Sequence, residues 1–292
     1  MFYYVLPGVG IYGGIKKGFH CAELLRQSGV PCSVATPGGE RPGWFSSDAD
    51  VIDRDDLPEL CEPGDGILFS FPPDAKFVDA LPARRKIVHM QGANTRQDVA
   101  LIRRGYELVS HGLHMTQELL RQGLVAPYVP IGVADVFRWQ GERKDAQSVV
   151  VLSRKGGEFV EAVSRALPAG ATLSVIDGQA EAEVALTLRQ ADAFVAISPS
   201  EAFGLPPLEA MCAGCCVVGF PGDGGFEFMR HGETAHLVTN GDARALGHAV
   251  EEVMARAGYR DALRRRALEV SAYYTLERER EYLLRALGLR VE

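Results

Sequence analysis

The most informative stretch of the chain runs Ser198-Pro-Ser-Glu-Ala-Phe-Gly-Leu-Pro-Pro-Leu-Glu-Ala-Met-Cys-Ala-Gly-Cys-Cys-Val-Val-Gly-Phe220. An apolar run before it, Ala193-Phe-Val-Ala-Ile197, predicts a buried strand. A Gly-Leu-Pro-Pro turn then leads into a short helix, which Gly214 ends. The run Cys215-Cys-Val-Val-Gly-Phe220 predicts the next strand of a parallel sheet. The stretch is therefore a strand, loop, helix and strand of an α/β fold.

The start of this helix has the chemistry of an anion site. The first N–H groups of a helix lack partners inside it and lie at the positive end of its dipole, so they suit a phosphate group. Gly204 permits close approach of the backbone to a ligand, and Pro206 and Pro207 suit the first turn because they lack N–H groups. Glu209 is expected in the same turn, and its carboxylate suits a vicinal diol such as a ribose because it only accepts hydrogen bonds.

Length and composition indicate a globular chain of two domains. The chain has 292 residues, of which 47% are hydrophobic, and this is enough for a packed core in each domain. The net charge of -7 argues against general attraction to nucleic acid or to anionic lipid. No apolar run approaches the roughly 18 residues of a membrane span, and Phe2-Tyr-Tyr-Val-Leu6 predicts a strand rather than a signal peptide. We therefore expect a cytoplasmic protein.

Two groups of potential metal ligands each have a simpler interpretation. Cys212, Cys215 and Cys216 either form a metal cluster or serve as buried, reduced thiols in a helix and a strand, and the second interpretation is favoured. His111 and His114 have the spacing of two ligands, but no third ligand accompanies them. We expect no metal and no cofactor.

The first half of the chain predicts an α/β domain. Its first strand is followed by a glycine-rich loop, Pro7-Gly-Val-Gly-Ile-Tyr-Gly-Gly14, and by a helix from Ile15 to Ser28. His89 stands at the carboxyl end of a later strand, before Met90-Gln-Gly-Ala-Asn94. Ligands collect at this edge of open α/β sheets, so His89 is either a functional residue or a satisfied structural histidine. The polar segment 38–63 is expected to form a loop at the rim.

The second half repeats the α/β pattern after a charged connector at 139–147. A strand over Ser148–Leu152 is followed by Arg154 and Lys155, which form either a cation site for a diphosphate or a solvated basic turn. The remaining expected elements are a helix at 158–166, a strand at 171–176, a helix at 180–190, a helix from Ala243 to about Ala257, and a last helix at 276–287.

These residues resemble the retaining glycosyltransferases of family 4. Ser198 to Val218 resembles the family's signature of two glutamates separated by seven residues, here Glu201 and Glu209. The resemblance covers nearly the whole chain through further segments: Gly13-Gly14, 27–34, 109–120, 129–137 and 224–238.

The resemblance implies the GT-B architecture, with two Rossmann-like α/β domains whose parallel sheets face each other across a cleft. We expect an N-terminal domain at 1–138 on the acceptor side and a C-terminal domain at 148–270 on the nucleotide-sugar donor side. A helix within 271–292 is expected to pack back on the N-terminal domain. A β-α unit that often forms part of the family's base-binding wall is missing between Ile176 and Ala193.

The resemblance also implies roles for particular residues. Glu209 would hold the donor ribose, Glu201 would lie against the donor sugar, and His89 would contact that sugar, so Glu201 and His89 are the catalytic candidates. The implied donor-binding residues are Gly13, Gly14, Arg154, Lys155, Phe203, Gly204, Leu205 and Glu209. Family members usually separate the equivalents of Arg154 and Lys155 by several residues, which leaves open whether both contact the diphosphate.

The implied activity is a retaining, metal-independent transfer of a hexosyl group. The donor would be a UDP- or GDP-sugar, and the acceptor a hydroxyl of a saccharide, a lipid-linked molecule or a small molecule. Two alternatives stay open, namely a nucleotide-sugar epimerase or hydrolase of the GT-B fold and a non-catalytic subunit that binds sugar nucleotides. Nucleic acid is not an expected partner.

Overall fold

The chain divides into two compact units. The computed structural model describes residues 1–92, 101 and 104–290. The first unit comprises Met1–Ile131 and Leu276–Glu292, and the second comprises Gly132–Thr275. The last helix thus belongs to the first unit. Ala93 and Asn94, which follow His89 in the sequence pattern, lie outside the described residues.

The first unit contains a seven-stranded parallel sheet in the order β3-β2-β1-β4-β5-β6-β7. Its strands are β1 (Phe2–Val5), β2 (Cys32–Thr36), β3 (Asp50–Asp53), β4 (Gly66–Phe69), β5 (Arg85–Met90), β6 (Glu107–His111) and β7 (Tyr128–Val129). Its described α-helices are α1 (Gly13–Gln27), α2 (Leu57–Leu60), α3 (Ala75–Ala80), α4 (Leu113–Arg121) and α10 (Leu276–Ala286).

Both faces of this sheet are covered. Alternate side chains of a strand point to opposite faces, so Tyr4 packs in one core and Tyr3 in the other. Helices α1 and α10 supply the first core, and α2, α3 and α4 contribute to the second. Helix α1 lies close against β1, since a Cβ at Gly18 would come within 2.8 Å of the Tyr4 ring. This approach places the start of α1 over the carboxyl ends of the strands.

The second unit contains a five-stranded parallel sheet in the order β12-β11-β10-β8-β9. Its strands are β8 (Asp145–Leu152), β9 (Thr172–Ile176), β10 (Ala191–Ala196), β11 (Cys216–Gly219) and β12 (Ala235–Leu237). Its α-helices are α5 (Val160–Ala166), α6 (Glu181–Gln190), α7 (Leu205–Cys212), α8 (Ala243–Ala255) and α9 (Ala257–Ser271). Because β8, β10 and β11 are neighbours and parallel, the loops that follow them meet at one edge.

The prediction of two parallel α/β domains is confirmed. The loop prediction for 38–63 was wrong, because β3 pairs with β2 and α2 follows it. β3 is a short, polar edge strand, Asp-Val-Ile-Asp, whose charges mask its pattern. A second difference is that Gly132–Arg138 belongs to the second unit. There the Arg138 guanidinium donates to the carbonyls of Ser271 and Tyr274 at 3.1 and 2.6 Å.

Candidate active site

The loop between β10 and α7 presents a row of backbone N–H groups. Gly204 adopts φ 93° and ψ 54°, a left-handed conformation that favours glycine, and it caps the start of α7. Within the part of the chain that the structure describes, nothing accepts a hydrogen bond from the N–H groups of Phe203, Gly204 or Leu205. Pro206 and Pro207 have no N–H, so these three amides are the donors at this helix start. Successive N–H groups around a left-handed residue form a concavity that suits an anion.

The loop after β11 packs against the β10–α7 loop that carries these three N–H groups. The N–H of Asp223 donates to the Glu201 carbonyl at 2.8 Å. A Cβ at Gly224 would come within 2.0 Å of the Ala202 carbonyl oxygen, and one at Gly222 within 2.6 Å of that of Glu201. The two loops therefore pack backbone against backbone, and this contact holds the backbone of Glu201. This role was not predicted from the sequence, although the Gly222-Asp-Gly-Gly225 pattern is typical of a close backbone approach.

The structure brings Lys155 and Glu201 together. Lys155 Nζ lies 3.3 and 3.2 Å from the two carboxylate oxygens of Glu201, and Ser198 Oγ lies 3.4 Å from one of them. A Cβ at Gly156 would come within 1.9 Å of the Ile197 carbonyl oxygen, so the β8 loop presses on the β10 loop. Arg154, the neighbouring predicted cation, is exposed in the same turn. Lys155, which is expected to bind the diphosphate, is thus paired with Glu201, which is expected to lie against the sugar.

The prediction that Glu209 lies in the first turn of its helix was wrong. Helix α7 begins at Leu205, directly after the left-handed Gly204, so Glu209 falls in the second turn. Its side chain is only 6% exposed. The ribose role of Glu209 stays a prediction.

The cysteines of this region are buried thiols. All six cysteines of the chain are buried and free of disulfides. Burial raises the pKa of Cys215 to about 11 and that of Cys216 to about 12. At neutral pH these side chains are therefore protonated thiols, and they pack as small apolar residues.

Lys155→Ala is expected to weaken binding of a nucleoside diphosphate about tenfold, because a charged hydrogen-bond donor contributes about 1.5 to 3 kcal/mol. Glu201→Gln is expected to bind the free diphosphate at least as well as the wild type, since it removes the carboxylate that competes for Lys155. Isothermal titration calorimetry measures both affinities. Exposed Lys76 provides the control variant Lys76→Ala. Unchanged affinity in Lys155→Ala would exclude this lysine from the diphosphate site.

In the first unit, Gly13 and Gly14 form the start of α1. Among the described residues their N–H groups have no acceptor. A Cβ at Gly14 would come within 3.0 Å of Gln91 Oε1 and 3.1 Å of the Phe71 ring. Gln91 and Phe71 therefore pack closely against Gly14, and the donor-binding role of Gly13 and Gly14 stays a prediction.

His89 lies inside the first unit, not on its surface. Its side chain is 1% exposed, and its Nδ1 lies 2.9 Å from Tyr4 Oη and 3.2 Å from Gln91 Nε2. Its ring packs against that of His111 at 4.1 Å between centroids. A direct contact between His89 and a sugar would require its neighbours to move. The catalytic role of His89 stays a prediction, and the half-buried Gln91 is the polar side chain beside Gly14.

A buried ionic cluster lies beneath the start of α1. Lys17 forms a salt bridge with Glu279 of α10, and both side chains are at most 3% exposed. His111 Nε2 lies 3.3 Å from Glu279 Oε1, and Lys17 Nζ lies 3.5 Å from His20 Nδ1. Burial alone would raise the pKa of Glu279, but Lys17 and His111 outweigh it and hold that pKa well below its usual range. No local sequence signal indicated this cluster, since 262 residues separate Lys17 from Glu279.

The three buried histidines are expected to make stability depend on pH. Burial lowers the pKa values of His20, His89 and His111 below the ordinary value of 6.5. Below pH 6.5 the unfolded chain therefore binds protons that the folded chain does not, so stability is lost as the pH falls. Each histidine contributes up to about 1.4 kcal/mol per pH unit. Urea unfolding between pH 7.5 and 5 measures the slope, which His20→Asn should reduce; a flat profile would contradict the expectation.

Comparison with known proteins gives a family match within the second unit and the fold of the whole chain. Residues 137–270 match the family described as glycosyl transferases group 1. This match includes the β10–α7 loop, Lys155 and Glu209. A search of curated protein sequences found no match.

Three solved structures illustrate the fold. WaaG, a glycosyltransferase involved in lipopolysaccharide biosynthesis, is 13% identical, with 99% of this chain and 100% of WaaG covered and a TM-score of 0.74. HepE from Anabaena, in complex with UDP and glucose, is 14% identical, with 98% and 99% covered and a TM-score of 0.72. A TarM variant from S. aureus, in complex with fondaparinux, alpha-GlcNAc-glycerol and UDP, is 14% identical, with a TM-score of 0.65. That match covers 80% of this chain and only 57% of TarM.

These observations define the class of the protein as a chain with the GT-B fold, built from two parallel α/β units. Residues 137–270, most of its second unit, match the glycosyl transferases group 1 family. Over the described residues, no helix combines the length and the apolar character that a membrane span requires.

Proposed function

We propose that this protein transfers a hexosyl group from a nucleoside-diphosphate sugar, a UDP- or GDP-sugar, to an acceptor hydroxyl with retention of anomeric configuration. The observation that carries the proposal is the row of amides at Phe203, Gly204 and Leu205, which have no acceptor among the described residues, in the loop whose Glu201 pairs with Lys155. This row lies inside the segment that matches the glycosyltransferase family. The UDP complexes of HepE and TarM support a nucleoside-diphosphate donor.

The chemistry of the site suits the departure of a diphosphate. Cleavage of the anomeric bond places negative charge on the diphosphate and positive charge on the sugar ring. Preorganised N–H donors at such an oxyanion contribute about 3 to 4 kcal/mol each, and Lys155 and Arg154 add positive charge. Catalysis by these groups is electrostatic and positional, and the proposed mechanism assigns no step to a metal or a cofactor.

In this proposal two carboxylates bind the remaining parts of the donor, namely the ribose and the transferred sugar. Glu209 accepts hydrogen bonds from the ribose hydroxyls. When the donor binds, Lys155 pairs with the diphosphate and leaves Glu201, whose carboxylate then lies against the transferred sugar. The backbone contact between the loops after β10 and β11 supports this proposal, because it holds the backbone of Glu201. The acceptor is a saccharide, a lipid-linked molecule or a small molecule, and the cytoplasmic location stays a prediction.

A thermal-shift panel of UDP, GDP, ADP, TDP and CDP tests the donor assignment. The matching nucleotide should raise the melting temperature in proportion to the logarithm of its concentration over its dissociation constant. Incubation with the corresponding sugar nucleotides and an acceptor panel, followed by NMR of the product, reports the anomeric configuration. An inverted product would exclude retention, and no shift with any nucleotide would exclude the donor class.

The same incubation separates the alternative functions. Sugar release by water or an epimerised donor, at rates that match any transfer, would identify a hydrolase or an epimerase. Binding without turnover across the acceptor panel would identify a binding subunit.

A further inference from the structure

Asn240 holds the loop after β11 by two hydrogen bonds to one residue. Its Oδ1 accepts from the N–H of Gly222 at 3.1 Å, and its Nδ2 donates to the Gly222 carbonyl at 3.1 Å. An asparagine amide carries an acceptor and a donor side by side, so it can pair with both backbone groups of one residue. The parallel strands β11 and β12 are neighbours, so the segments that follow them, which contain Gly222 and Asn240, lie close together.

Three glycines leave this loop few side-chain contacts of its own. Gly222, Gly224 and Gly225 have no side chains to pack, and glycine loses more conformational freedom on folding than any other residue. Gly222 also adopts a left-handed φ of 63°. The two hydrogen bonds from Asn240 therefore select one conformation of Gly222 from the many that a glycine can adopt.

The conformation of this loop determines how it packs against the β10–α7 loop. The N–H of Asp223, the residue after Gly222, donates to the Glu201 carbonyl at 2.8 Å. A Cβ at Gly224 would come within 2.9 Å of Phe203 Cα. Phe203 carries the first of the three N–H groups that the proposed function assigns to the diphosphate. The contacts of Asn240 thus extend, through the loop after β11, to the backbone of the anion site.

We propose that Asn240 is a positioning residue of the donor site. By holding Gly222, it keeps the loop after β11 against the β10–α7 loop and preorganises the N–H groups of Phe203, Gly204 and Leu205 for a diphosphate. This inference rests on the proposed function. It concerns the second unit alone, which contains all of these residues, and it assigns Asn240 no contact with the donor.

Asn240→Ala tests the positioning through the affinity for UDP and GDP, measured by calorimetry. Loss of two neutral hydrogen bonds should raise the dissociation constant of the nucleotide that the wild type binds about fivefold. The dissociation constant of the corresponding nucleoside, uridine or guanosine, measured by NMR titration, should stay within about twofold, because it carries no phosphate. A general loss of structure would weaken both. Thr239→Ala, at the exposed neighbouring position, is the control.

Hydrogen exchange of the Asp223 amide, followed by NMR, tests the first step without a ligand. This N–H donates to the Glu201 carbonyl, so it is protected while the two loops are in contact. Asn240→Ala should raise its exchange rate about tenfold, because the loop then separates more often. Thr239→Ala should leave the rate unchanged, and the amides within β10 and β11 should exchange at wild-type rates in both variants.

Three results would overturn the inference and leave the proposed function standing. They are a nucleotide affinity of Asn240→Ala equal to that of the wild type, equal losses of nucleotide and nucleoside affinity, and an unchanged exchange rate of the Asp223 amide. A wild type that binds no nucleoside diphosphate would overturn both the inference and the proposed function.

Asn240→Asp serves if urea unfolding shows that Asn240→Ala does not fold. Its carboxylate still accepts from the Gly222 N–H but cannot donate to the Gly222 carbonyl, so one of the two hydrogen bonds is lost. The Asp223 amide should then exchange faster than in the wild type. An exchange rate equal to that of the wild type would overturn the inference.

Discussion

Glu209→Ala is expected to reduce donor binding or turnover at least about 100-fold. The carboxylate lies in the second turn of α7 and is 6% exposed, in the segment that matches the glycosyltransferase family. Two hydrogen bonds from ribose hydroxyls to a charged acceptor contribute about 1.5 to 3 kcal/mol each, and their joint loss corresponds to this factor. Calorimetry with the nucleoside diphosphate and steady-state kinetics with the sugar nucleotide measure the effect.

Two further variants control for the effect of truncating the buried Glu209 side chain. Glu209→Gln keeps the size of the residue and one acceptor oxygen, so it should retain more affinity than Glu209→Ala. Glu251→Ala, at an exposed position on α8, should leave binding and turnover unchanged. Donor affinity and rate of Glu209→Ala equal to those of the wild type would remove Glu209 from the donor site.

Glu279→Ala is expected to destabilise the protein by about 3 to 5 kcal/mol. The substitution leaves the Lys17 ammonium buried without its carboxylate partner, and breaking a buried pair from one side has this cost. Burial already lowers the pKa of Lys17, and Glu279 acts against this shift. In Glu279→Ala, Lys17 should therefore give up its proton at a lower pH than in the wild type. Urea unfolding at pH 7.5 measures the loss of stability.

The double variant Lys17→Met/Glu279→Met separates charge from packing. Replacing both partners by apolar side chains of similar volume is often neutral, so it should cost less than Glu279→Ala alone. Glu281→Ala, on the exposed side of the same helix, should change stability by less than about 0.5 kcal/mol. A loss below about 1 kcal/mol in Glu279→Ala would show that the cluster does not hold α10 to the first unit.

Local patterns predicted most of the strands and the loop between β10 and α7. The apolar run before Ser198 and the Gly-Leu-Pro-Pro turn signal a strand and a helix start within a few residues. These patterns did not predict edge strand β3, because an aspartate stands at each of its ends. They did not predict helix α9 either, because charged residues dominate its exposed face.

His89 and Gln91 show that the sequence does not predict the direction of a side chain within a site. Both residues stand at the carboxyl end of β5, and the sequence favours the histidine because of its chemistry. The direction of each side chain depends on Tyr4 and His111, which neighbouring strands supply, and on Ser70, which directly follows β4. These contacts place His89 inside the core and leave Gln91 beside Gly14.

The sequence by itself determined the two α/β domains, the glycine-rich loop and the helix start with its two glutamates, because each depends on residues that are close along the chain. Only the tertiary structure decided the partners of these groups. Lys155 meets Glu201 across 46 residues, and Lys17 meets Glu279 across 262. The physical reason is that a pattern records how a segment folds, whereas the partner of a side chain depends on which other segment packs against it.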